Sequence, residues 1–128
     1  MRQIVRCSNV TARYTEAVSS ENALDGSGPR VCPIADALQL VGDKWALLAL
    51  RELSFGVTKF NDICVNTGAP RASLTARLRG LEESGLIERR RYSEHPPRDD
   101  YVLTAAGRDL APVLRELRVW GERHAAPA

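Results

Sequence analysis

From Cys32 onward, apolar residues recur at three- and four-residue spacing in runs of helical length, and each run is bounded by a residue that starts or stops a helix. "CPIADALQL" predicts a helix with Pro33 at its first position, where the missing N–H costs nothing. "DKWALLALREL" predicts a second, with Asp43 as N-cap, Trp45, Leu47, Leu48 and Leu50 as apolar positions, and Gly56 beyond its end. "TKFNDICVN" predicts a third, from Thr58 as N-cap, that buries Phe60, Ile63 and Cys64. After the turn "TGA", "PRASLTARLRGLEESG" predicts a fourth, with Pro70 at its first position and Gly85 as its stop. Two strand-forming runs follow in "GLIERRRYSEHPPRDDYVLT". "TAAGRDLAPVLRELRVWGERH" then predicts one long terminal helix with Thr104 as N-cap, Pro112 marking its first turns or a bend. Residues 1–30 are different: polar, ending in the breaker-rich "LDGSGPR", with short helical spacing only at Val10, Tyr14 and Val18. They read as an N-terminal arm, residues 31–125 as the domain, and 126–128 as a tail.

Two short helices across a glycine turn, followed by a hairpin, is the order of a winged helix-turn-helix. The fold class expected is therefore mainly α with a small β-hairpin wing (α+β). The helix over about 70–84 would be the one that enters the DNA major groove. At about 100° per residue, Leu74, Leu78 and Leu81 cluster toward the core. The opposite side presents Ala72, Ser73, Ala76, Arg79, Gly80 and Glu83, flanked by Thr75 and Arg71 on one side and Arg77 on the other. A small, polar face lets a helix lie close to base edges, where Ala and the Thr methyl meet thymine methyls and Arg forks onto guanine. Undemanding surface residues would look the same on a lone helix; the neighbouring hairpin favours the DNA reading.

In that hairpin, "IERRRY" alternates Ile87, Arg89 and Arg91 with Glu88, Arg90 and Tyr92, so some arginines must point outward. A wing would lay Arg90, Arg91 or Arg98 on phosphates or in the minor groove, while Asp99 or Asp100 pairs with an arginine of the neighbouring strand. Pro96 and Pro97 stiffen its tip. The alternative is a solvated charged hairpin.

Composition changes the picture only locally. A chain of 128 residues with 44% hydrophobic content buries one core, and a net charge of +2 argues for no partner. From Arg71 to Arg98, however, seven arginines face four glutamates. Arginine outnumbers lysine sixteen to two, and it is the better fork for phosphate and guanine. Cys7, Cys32 and Cys64 are odd in number and widely spaced, which suits reduced thiols. With no apolar run long enough for a signal peptide or a membrane span, a cytoplasmic protein without a membrane partner is expected. No GxSxG, Walker loop, HExxH or metal-spaced Cys/His set occurs, so neither catalysis nor a cofactor or metal is expected.

The segments "CPIADALQLVGDKWALLALREL", "KFNDI", "LTARLRGLEESGLIERRRY", "PPRDDYVLTAAGRDLAPVLREL" and "WG", from Cys32 to Gly121, resemble the HxlR family of winged-helix transcriptional regulators. The resemblance implies a homodimer that binds an inverted repeat near a promoter. Family proteins often have serine where this chain has Pro70, and two glycines where it has Gly42-Asp43. Some similar regulators use the cysteine of the CPI motif as a thiol switch, which makes Cys32 a candidate redox handle and an oxidant or small molecule the expected effector. Its place at a helix start favours thiolate. A small residue capping a helix is the competing account, and Cys7 is a candidate resolving partner.

Pairing of two copies also follows from the residues. Leu110, Val113, Leu114, Leu117 and Trp120 form one stripe on the terminal helix, more apolar surface than a small domain needs covered. A second chain would cover it and set two recognition helices about one DNA turn apart. The stripe could instead pack within its own domain, and the whole could be a winged-helix module that binds protein. The outward arginines Arg71, Arg77, Arg79 and Arg90 separate these readings.

Overall fold

The computed structural model describes residues 28–125, and the chain divides after Gly42 into two compact units. In the first, helix α1 (Pro33–Val41) begins as expected, with Pro33 in its first turn and Cys32 as an extended N-cap residue. It closes where the Gly42 N–H donates to the Leu38 carbonyl at 2.8 Å. Val41 is buried, whereas Ile34, Leu38 and Leu40 are exposed.

The second unit opens with α2 (Lys44–Ser54), capped by Asp43, whose Oδ1 accepts from the N–H groups of Trp45 at 2.8 Å and Ala46 at 3.2 Å. Gly56 ends this segment at a φ of 89°, a left-handed conformation that glycine adopts without a Cβ penalty. Helix α3 (Phe60–Thr67) starts later than its sequence suggests, with Lys59 rather than Thr58 as N-cap residue. The reason is tertiary. The Thr58 carbonyl accepts from the Tyr101 N–H at 2.9 Å, its hydroxyl lies 3.3 Å from Asp100 Oδ1, and Lys59 bridges to Asp100, so residues 58–59 run extended beside the hairpin. Phe60 and Cys64 are only half-buried, while Ile63 is fully buried.

Gly68, at a φ of 76°, turns the chain into α4 (Arg71–Glu83). Pro70 stands one place outside this helix, as its N-cap residue, with its carbonyl already accepting from the Leu74 N–H at 2.9 Å. Gly85 stops the segment at a φ of 81°. Strands β1 (Ile87–Glu94) and β2 (Pro97–Leu103) pair antiparallel from Ile87↔Leu103 to Glu94↔Pro97, and the register skips Tyr92.

The expected long terminal helix is two helices. A single turn, α5 (Ala105–Arg108), is capped by the Thr104 hydroxyl, and α6 (Ala111–His124) follows with Pro112 in its first turn. Pro112 has no N–H to give the Arg108 carbonyl, and its ring would crowd that carbonyl, so one continuous helix breaks here. Gly107, in the short turn, sits against the Leu86 carbonyl so closely that a Cβ would lie 2.2 Å from it.

Leu50, Ile63, Leu74, Leu78, Leu81 and Ile87 are the largest fully buried side chains, and they join α2, α3, α4 and β1. Each contributes about 1.5–3 kcal/mol by leaving water. Among the described residues, one charge is buried with them. Glu52, 4% exposed, accepts from Arg51 Nε at 2.8 Å and from Asn66 Nδ2 at 2.9 Å, while Arg51 Nη2 donates to the Asn66 carbonyl at 3.2 Å. This cluster ties α2 to the end of α3. The fold is a winged helix-turn-helix: α3 and α4 are the helix pair and β1–β2 the wing. Among the described residues no helix is long and apolar enough to cross a membrane.

Candidate nucleic-acid interface

Burial of Leu74, Leu78 and Leu81 fixes the roll of α4 and so decides what it shows to solvent. The exposed side carries Ala72, Thr75, Ala76, Arg79, Gly80 and Glu83, with Ser73 half-buried at the edge. Ala72, Ala76, Arg79, Gly80 and Glu83 are exposed as expected, whereas Ser73 is drawn half inward and Thr75 takes a place on the exposed side. Its three arginines differ in what holds them. Arg71 Nη1 donates to Asn61 Oδ1 at 2.9 Å and the guanidinium lies over the Phe60 ring, which directs it along the turn between the helices. Arg77 reaches Asp43 Oδ2 at 3.8 Å, a distant pair at the start of α2. The Arg79 guanidinium has neither an ion pair nor a hydrogen bond among the described residues.

The wing holds its arginines in a charge ladder. Arg91 donates to Asp99 at 2.7 Å and reaches Glu94 at 3.4 Å, Arg90 pairs with Glu88 at 3.2 Å, and Arg89 bridges Glu82 of α4 and Asp99 at 3.2 and 3.7 Å. The Glu82 carboxylate and the hydrogen bond to it hold the Arg89 guanidinium above its ordinary pKa, and the hydrogen bond that Arg91 donates to Asp99 does the same for Arg91. Arg98, opposite Ser93 near the tip, makes no ion pair among the described residues. Exposed pairs of this kind are worth about 0–1 kcal/mol, so a phosphate can take Arg90 or Arg91 at little cost. Asp99 fulfils the expected cross-strand pairing with an arginine. Asp100 instead takes Lys59, whose ammonium also lies over the Tyr92 ring.

Between α4 and the wing runs a polar groove of about 290 Å³ lined by Thr75, Arg79, Glu82, Glu83, Arg89 and Tyr101. Burial raises the pKa of the Tyr101 phenol. Lys59, Glu82, Arg89 and Tyr101 did not stand out in the sequence. Lys59 and Asp100 are 41 positions apart, and no local pattern announces their meeting.

The stripe on α6 is open to solvent, with Val113 46%, Leu117 50% and Trp120 61% exposed and Leu110 and Leu114 half-buried. Cys32 is half-buried, and its side chain makes no capping hydrogen bond to α1. Cys7 and most of the N-terminal arm lie outside the described residues.

A family model described as HxlR-like helix-turn-helix matches residues 40–128. An HTH-type transcriptional regulator of Mycobacterium tuberculosis is 47% identical over 91 residues, 71% of this chain and 58% of its own length. This chain thus spans under two thirds of that relative. The HTH-type transcriptional regulator YdeP of Bacillus subtilis is 36% identical over 94 residues, 73% of each chain. Among solved structures, the redox regulator HypR in its oxidised form superposes with a TM-score of 0.67 at 30% identity, over 75% of this chain and 100% of HypR. The reduced form of the transcriptional regulator YodB from B. subtilis gives a TM-score of 0.62 at 29% identity, over 77% of this chain and 98% of YodB.

Proposed function

The chain belongs to the HxlR-like helix-turn-helix family, and from that premise we propose that it is a sequence-specific transcriptional regulator that binds an inverted repeat in double-stranded DNA as a homodimer. The observation that carries this reading is the outward face of α4: small residues that permit close approach, with the uncommitted Arg79 guanidinium among them. Helix α4 enters the major groove, where Ala72, Ser73, Thr75 and Ala76 pack on base edges and Arg79 forks onto guanine. Arg71 and Arg77 flank it and meet phosphates. The wing follows the backbone with Arg90, Arg91 and Arg98. Leu110, Val113, Leu114, Leu117 and Trp120 of two copies cover one another.

Arg79→Ala is expected to weaken operator binding by about 1–3 kcal/mol and leave random duplex unaffected. Arg98→Ala should weaken both alike and lower the slope of log affinity against log salt by about one. Fluorescence anisotropy on the two duplexes across a salt series checks both; equal loss on the two duplexes for Arg79→Ala would assign it to phosphate.

The effector reading is that Cys32 is a thiol switch. Its position before Pro33, at the N-terminus of α1, supports a lowered thiol pKa, and HypR, similar over three quarters of this chain, is a redox regulator. Iodoacetamide should label Cys32 before Cys7 and Cys64 in the folded protein. Mild hydrogen peroxide should release the parent from its operator and leave Cys32→Ser bound. Earlier labelling of either other cysteine, read by mass spectrometry, leaves Cys32 as a small residue at the start of α1 with no switching role.

A further inference from the structure

The polar groove of about 290 Å³ takes one wall from α4, with Thr75 and Arg79, and the other from the wing, with Arg89 and Tyr101. In the proposed complex Thr75 and Arg79 face base edges, and Arg90, Arg91 and Arg98 face the flanking backbone. The sugar–phosphate strand that joins those two regions has to cross this groove.

Tyr101 is half-buried at the crossing and is held from several sides. Its N–H donates to the Thr58 carbonyl at 2.9 Å, and Lys59 grips the neighbouring Asp100. Across the strands it faces Arg89, whose guanidinium donates to the phenol oxygen and is itself fixed by Glu82 at 3.2 Å and Asp99 at 3.7 Å. With its oxygen accepting from Arg89, the phenol still has its own hydrogen to donate, and no acceptor among the described residues takes it. A ring already fixed in place gives up little freedom on binding, and an anionic oxygen is the acceptor with which its O–H bonds most strongly. The charges in the groove decide where such an oxygen can sit. Glu82 is compensated by Arg89, whereas Glu83, at the end of α4 and without an ion pair among the described residues, repels a phosphate from the far end.

We propose that the Tyr101 hydroxyl donates to one backbone phosphate of each half-site, seated in this groove between α4 and the wing. The contact rests on the proposed DNA binding and adds a stop to it: a phosphate held there fixes how far α4 advances along the major groove. A duplex selected from a random library by the full-length protein, and an unrelated duplex, are the probes. Tyr101→Phe keeps the ring and should weaken both about tenfold without altering the slope of log affinity against log salt, since no charge is lost. Single phosphates of the selected duplex are then replaced by uncharged methylphosphonates. At one position per half-site the parent should lose about tenfold and Tyr101→Phe about threefold or less, with every other position affecting the two proteins alike. A ring that served only packing would show no such position. Tyr101→Phe binding like the parent, a changed salt slope, or equal sensitivity of the two proteins at every phosphate would overturn the contact and leave the DNA reading standing. A parent that selects no duplex would overturn both.

Discussion

Glutamate in place of both Leu114 and Leu117 is expected to leave a monomer in sedimentation equilibrium, with affinity for a palindromic duplex reduced by about 10²- to 10⁴-fold. The size of the effect comes from linkage. When one half-site is bound, a paired second subunit meets its own half-site at a high effective concentration, and the separated subunits lose this advantage. Two buried charges per subunit would be too costly for the stripe to close, since an unpaired carboxylate resists transfer from water by several kcal/mol. Leu117 is 50% exposed in the single chain, so the substitutions cost the folded subunit little by comparison. Affinity for a single half-site should survive. A variant that stays dimeric would move the interface to another face, with the exposed apolar residues of α1 as the next place to look.

Leu78→Ala is expected to lower the free energy of unfolding by about 2–5 kcal/mol, through lost burial and the void left behind. Leu78 is 1% exposed and lies on the inner side of the helix whose outer side carries Thr75 and Arg79. Thr75→Ala, one turn away on that outer side, should change unfolding by less than about 0.5 kcal/mol and act on operator binding alone. Urea denaturation of the two variants separates the roles. If Leu78→Ala cost no more than Thr75→Ala, the inner side of α4 would not be packed as described, and the assignment of its outer face would fall with it.

Much of the fold was legible because its start and stop signals act locally. Asp43 caps α2 through N–H groups two and three residues on, Thr104 caps the turn after the hairpin, and Gly85 ends α4 in a conformation its neighbours could not adopt cheaply. The face of α4 was legible for a related reason: three leucines at helical spacing fix the roll, and every other position follows. Where the sequence misled, a distant partner or a covalent constraint decided. Thr58 has the chemistry of an N-cap, but the hairpin claims its hydroxyl and carbonyl. The apolar spacing through residues 104–124 is continuous, but Pro112 cannot supply the N–H that continuity requires. At the candidate interface, which arginines would be outward was legible. Which of them are already engaged was not, because that depends on cross-strand register and on Glu82 reaching over from α4.

The fastening of the wing has a mechanical consequence. Lys59 grips Asp100 and, nearer the tip, the Tyr92 ring, and Glu82 grips Arg89 on the inner half of the hairpin. Past these contacts, among the described residues, the side-chain pairs of the tip stay within the hairpin and none returns to the helices. The hairpin is therefore a lever clamped at its base, and any angular play at the clamp grows into displacement toward the end. Arg98, two residues past Asp100 and so about 7 Å further out, sweeps an arc while α4 stays fixed. A regulator built this way would be strict about the bases at the centre of each half-site and lenient about groove width at the flanks, accepting operators whose outer backbone differs in shape.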